Sequence, residues 1–127
     1  MKSKTAFRAF FAVAALYDGV LGLLFLFAAG WLFRAFGVTE PNHMGYVQFP
    51  ACLLIIFALM FLAVASKPKE NRNLIPYGML LKVSYCGVAF WHWFTAGIPD
   101  MWKPFAVIDL VFLGLFAVAY VQLSKET

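Results

Sequence analysis

Four runs of apolar residues, each about as long as a helix needs to cross a 30 Å hydrocarbon core, leave this chain few folds to choose from. They are Ala9–Phe33, Tyr46–Ser66, Leu74–Thr95 and Pro104–Leu123. Short polar connections rich in turn residues separate them: Gly37, Pro41 and Gly45 in the first, SKPKENRN in the second, Gly97, Pro99 and Asp100 in the third. None of the runs alternates apolar and polar residues as the strands of a membrane β-barrel do. Of the 127 residues, 64% are hydrophobic and 13% charged, and the mean hydropathy is +0.83. A soluble domain of this size has no interior large enough to hide that much apolar surface. The expectation is an all-α, four-helix transmembrane bundle, up-down-up-down, forming a single integral membrane domain over residues 1–127.

The basic start followed by an apolar run imitates a signal peptide, with Ala12-Val13-Ala14 resembling a cleavage site. The apolar run continues well beyond that point, which predicts an uncleaved first span. Pro50 is expected in or near the first turn of the second helix, where its missing N–H is tolerated. An even number of spans puts both termini on one side of the membrane. That side receives Lys2, Lys4, Arg8, Lys67, Lys69, Arg72 and Lys125, and the other only Arg34 and Lys103. The asymmetry predicts N-in, C-in insertion in the inner (cytoplasmic) membrane and argues against a dual-topology antiparallel dimer. The formal charge of +4 is explained by these flanking residues. No basic stripe with interleaved aromatics points to nucleic acid. The expected surroundings are the lipid bilayer, with a second copy or a partner membrane subunit as further partners.

The third run, LIPYGMLLKVSYCGVAFWHWFT, is the most informative, because charge inside a span needs a partner, a cavity or a role. At 3.6 residues per turn, Gly78, Lys82, Tyr85, Ala89 and His92 share one face, with Cys86 and Trp93 beside it. The opposite face, with Val83, Gly87, Val88 and Phe94, is apolar apart from Ser84. The polar face is expected to point into the protein, toward Asp18 of the first span and Asp109 of the fourth. Depth along the helices favours Lys82 with Asp18. The length of the lysine stem also allows Asp109. Tyr17 could join the same network. Two uses follow from these groups: a structural ion pair that fixes helix register, or a ligand-binding or proton-relay site built from Asp18, Lys82, Tyr85, His92 and Asp109.

A second polar group, Glu40, His43, Gln48, His92 and Asp100, lies toward the other end of the spans, but its spacing matches no metal motif, and no metal is assigned. Cys52 and Cys86 read as two buried thiols, although similar depth leaves a disulfide open. The chain has no GxxxxGK[ST], GxSxG, HExxH or CxxC sequence, and no catalytic residue is assigned. Ala15, Gly19 and Gly22 are expected to let helices approach closely.

The stretch GVLGLLFLFAAGWLFRAFGV, with its spaced glycines and aromatic-rich exit, together with the four-span layout, resembles the DoxX-like group of small bacterial inner-membrane proteins. NRNLIPYGMLLKVSYCGVAFWHWFTAGIPDMWKPF is similar to a stretch of an uncharacterised family of short bacterial membrane proteins. The DoxX-like resemblance implies electron transfer near quinone, since some members of that group are subunits of quinone-linked oxidoreductases. The expected function is therefore a small polytopic membrane protein whose intramembrane polar pocket binds a quinone-like or lipophilic ligand, or which serves an oxidoreductase as its membrane subunit. The alternatives are a proton-coupled transporter or channel using Asp18, Lys82 and Asp109, and a scaffold whose charges only set register.

Overall fold

The computed structural model describes residues 2–125, with side chains from Thr5 onward. The side chains of Lys2 and Lys4, counted in the orientation reading, and residues 126–127 lie outside the described residues. The chain is all-α: α1 (Lys2–Phe27), α2 (Ala29–Ala35), α3 (Gly45–Ser66), α4 (Ile75–Thr95) and α5 (Lys103–Lys125), with short 3-10 turns at Arg72–Leu74 and Asp100–Trp102. There is no strand among the described residues. α1, α3, α4 and α5 are each long and apolar enough to cross a membrane, as expected of a multi-pass membrane protein. Only 22% to 33% of the most apolar window of each is buried, so most of their side chains form apolar outer faces of the kind lipid covers. Leu16, Leu59, Leu80 and Val118 are among the exposed residues.

Two compact units make up the chain, Met1–Pro68 and Lys69–Thr127. The first is a hairpin of α1 and α3. A Cβ at Gly22 would come within 2.7 Å of Ile55 Cγ1 and 2.8 Å of the Ala51 carbonyl, and one at Gly19 would lie 3.4 Å from Ala58 Cβ. Further along, Phe11 meets Phe61 at 6.4 Å between ring centroids, and Arg8 donates from Nε to the Ala65 carbonyl. Numbers rising along α1 against numbers falling along α3 define an antiparallel pair. The small residues Gly19, Gly22, Ala51 and Ala58 let the backbones close in, as dispersion-driven helix packing requires. The second unit is the antiparallel hairpin of α4 and α5.

The first apolar run departs from a single span over residues 9–33. Its membrane-length helix extends earlier and ends at Phe27. Ala28 leaves helical geometry at φ −129°, ψ 21°, and Phe33 belongs to the short α2. Hydropathy dips only briefly at Ala28, Ala29 and Gly30 before Trp31, Leu32 and Phe33 restore the apolar run, while Gly30 holds a helix poorly. Pro50 is the sixth residue of α3, one residue deeper than a start at Tyr46 implies, because the helix starts at Gly45. That start is held by the Gly45 N–H, which donates to His43 Nδ1 at 2.9 Å. Pro76 and Pro104 sit at the second positions of α4 and α5, where a missing N–H costs nothing. Gly37 and Gly97 adopt φ +65° and +85°, the left-handed geometry that ends α2 and α4. The amides of Ala96 and Gly97 both return to the His92 carbonyl.

Candidate functional site

The buried face of α4 is Ile75, Gly78, Lys82, Cys86 and Ala89. It carries Lys82, whose side chain is 1% exposed, directly opposite Asp109 of α5, whose side chain is 11% exposed. Lys82 Nζ donates to Asp109 Oδ1 at 3.0 Å. The same ammonium lies 5.3 Å from the centroid of the Phe112 ring, one turn below Asp109 on α5, so its other flank meets a negative π face. The pairing of Cys86 with Ala106 and of Lys82 with Asp109 follows one antiparallel register of α4 and α5, which brings Lys82 level with Asp109. Cys86, one turn along from Lys82, directs Sγ to the Ala106 carbonyl at 3.6 Å. Close approach of α4 to α5 and the ion pair thus occur on the same seam.

Tyr85 leads outward from this pair. It is half-buried, and its hydroxyl donates to the Trp102 carbonyl at 3.0 Å. Beyond it lies a groove of about 250 Å³ lined by Tyr85, Val88, Ala89, His92, Ile98, Pro99 and Trp102, all within the second unit. His92 is exposed on that groove and does not share the buried face with Lys82, which corrects the single polar stripe. The reason is local. At the level of His92, α4 is flanked by the Gly97 turn and the Asp100–Trp102 3-10 turn instead of by α5. Nearby, Phe90 and Trp93 stack at 5.6 Å with their rings 7° apart, Lys103 Nζ lies 5.4 Å from the Trp93 centroid, and it donates to Asp100 at 2.7 Å. Aromatic rings with a basic side chain are characteristic of the boundary between hydrocarbon and headgroups.

The remaining sequence candidates distribute as follows. Asp18 is 1% exposed on α1, and the hydroxyl of its neighbour Tyr17 is also buried. Gln48 is exposed on α3. Cys52 is exposed and Cys86 buried, and both are free thiols. Glu40 lies 3.7 Å from Arg34, and His43 caps α3. Among the described residues no three His, Cys, Asp or Glu side chains gather as metal ligands would. Ser84 and Thr95 donate to carbonyls one turn back, Leu80 and Trp91, so these hydroxyls are satisfied within their helix. The Tyr85–Trp102 bond and the groove it borders were not readable from the helix pattern. The proximity of Pro99 and Trp102 in the connection was the only signal for them.

No family model matches the chain, and no curated protein or solved structure does so either.

Proposed function

We propose that this is a small inner-membrane protein of DoxX-like layout, inserted N-in and C-in, whose second hairpin binds a lipophilic ligand with a carbonyl head, of quinone type, alone or as the membrane subunit of an oxidoreductase. The observation that carries this reading is the groove bordered by Tyr85, His92 and Trp102, which begins one helical turn along α4 from Lys82 of the buried ion pair. A quinone needs hydrogen-bond donors for its carbonyl oxygens and an apolar, aromatic wall for its ring. His92 supplies a donor, Val88, Ile98, Pro99 and Trp102 the wall, and Tyr85 holds Trp102 against the groove through its bond to the Trp102 carbonyl. At about 250 Å³ the groove is slightly smaller than pockets that enclose a whole small molecule, roughly 300 Å³ and up. It suits a ring head whose tail lies along the outer face of the helices.

The test is titration of the purified protein with a short-chain quinone, read by quenching of tryptophan fluorescence. The reading expects saturable quenching that weakens at least about tenfold, about 1.4 kcal/mol, in His92→Phe, a variant that keeps the ion pair. Linear, unsaturable quenching, identical in wild type and variant, overturns it.

A second reading rests on the same ion pair. Lys82 and Asp109 belong to the two helices of one hairpin, and a buried pair is a known means of fixing helix register. On that reading Lys82→Met lowers stability and changes no ligand signal.

A further inference from the structure

A separate groove lies at the far end of the first hairpin, where the start of α1 meets the end of α3. It measures about 480 Å³, with Thr5, Arg8 and Ser66 at its polar end and Ala12 and Leu62 along its apolar floor. Arg8 is held there by the bond from Nε to the Ala65 carbonyl, 3.2 Å long and spanning 57 residues of sequence. That bond fixes the plane of the guanidinium. Its two Nη groups have no partner among the described residues.

We propose that this groove holds the phosphate headgroup of an anionic phospholipid, with the first part of an acyl chain lying over Ala12 and Leu62. A guanidinium anchored through Nε presents the paired N–H groups that match two phosphate oxygens. The Thr5 hydroxyl adds a third donor. The C-terminus of α3 would by itself repel an anion, because its last carbonyls are unpaired in a bare helix. Two of them are already covered here: Ala65 by Arg8, and Ala63 by the Ser66 hydroxyl at 2.7 Å and the Lys67 amide. Charge selects the occupant. The sequence flanking this groove, residues 1–8 and 66–70, carries Lys2, Lys4, Arg8, Lys67 and Lys69 against a single carboxylate, Glu70. The distance from Arg8 to Ala12 is one helical turn, about 6 Å along the axis, so headgroup and acyl contacts fall in the order a lipid presents them.

The experiment is native mass spectrometry of the detergent-purified full chain titrated with phosphatidylglycerol and with phosphatidylcholine of the same acyl chains. Wild type is expected to retain phosphatidylglycerol in preference to phosphatidylcholine. Arg8→Gln is expected to lower phosphatidylglycerol retention about fivefold, the effect of one basic side chain at a membrane surface, and Arg8→Lys to keep the preference. Ala12→Phe fills the floor of the groove and leaves the Arg8–Ala65 bond in place, so it is expected to lower retention as well. It decides the matter alone should Arg8→Gln fail to fold by circular dichroism. Equal retention of the two lipids by wild type, or wild-type retention of phosphatidylglycerol by folded Arg8→Gln or by Ala12→Phe, overturns the proposal. Indifference to Ala12→Phe would mean that only a phosphate group is bound and no lipid.

Discussion

Replacing Lys82 by Met removes the ammonium and leaves a side chain of similar length on the buried face of α4. Opposite it, Asp109 keeps its place with a side chain only 11% exposed. At the 3.0 Å separation of the pair, the direct Coulomb attraction at an effective dielectric constant of 20 is about 5–6 kcal/mol. Desolvation of both ions offsets part of that attraction, and truncating one partner of a buried pair costs about 3–5 kcal/mol because a charge is left without compensation. Lys82→Met is therefore expected to destabilise the second hairpin by about 3–5 kcal/mol, with loss of the Phe112 contact included. Adding Asp109→Asn removes the stranded charge, and the double variant is expected to recover at least about 2 kcal/mol of that loss. The assay is unfolding in mixed micelles of increasing SDS fraction, followed by far-ultraviolet circular dichroism for wild type, both single variants and the double variant. A cost for Lys82→Met below about 1 kcal/mol, or single-variant costs that simply add in the double variant, would refute the reasoning.

Gly22→Ala is expected to cost the first hairpin about 1–3 kcal/mol, because its Cβ would lie 2.8 Å from the Ala51 backbone oxygen; Gly87→Ala, with nothing within 4 Å, is expected to cost nothing. The same SDS titration compares the two, and equal effects would contradict the α1–α3 contact. Tyr85→Phe is expected to cost about 0.5–1.5 kcal/mol through loss of the bond to the Trp102 carbonyl, read by thermal unfolding in detergent. For orientation, in a chain with Cys52 and Cys86 replaced by Ala, a membrane-impermeant maleimide applied from outside the cytoplasmic membrane is expected to label Asn42→Cys and not Glu70→Cys. The reverse pattern would invert the topology.

The four helices were legible because each apolar run has the length of a span and the turns between them hold Gly37, Gly97, Pro99 and the charged SKPKENRN segment. The apolar side of α4 was legible for the same kind of reason: Val83, Ser84, Gly87, Val88 and Phe94 are all exposed, as helical periodicity places them. The polar side was only partly readable. Gly78, Lys82 and Ala89 are buried as expected, but His92 is exposed, because periodicity describes one helix and cannot tell where its neighbour begins. Counting residues from the helix ends assigned Lys82 to the depth of Asp18. The contact with Asp109, which the sequence left open, is set by the register of α4 against α5, and no single helix's residues encode that register. The break at Ala28 is only a three-residue dip in hydropathy, too short to end an apolar run. The bond from Arg8 to Ala65 depends on two helix ends meeting across the whole first hairpin, which no local pattern encodes.

We propose that the second hairpin binds a lipophilic carbonyl compound in the groove beside the Lys82–Asp109 pair. That binding is tested most directly by native mass spectrometry with organic extraction of the protein purified in mild detergent, wild type beside Lys82→Met/Asp109→Asn, in which neither charge is left stranded. The account predicts a quinone or similar lipophile retained by wild type and lost from the double variant while the fold persists. A wild-type protein free of any such compound, folded equally well with and without the pair, would contradict it.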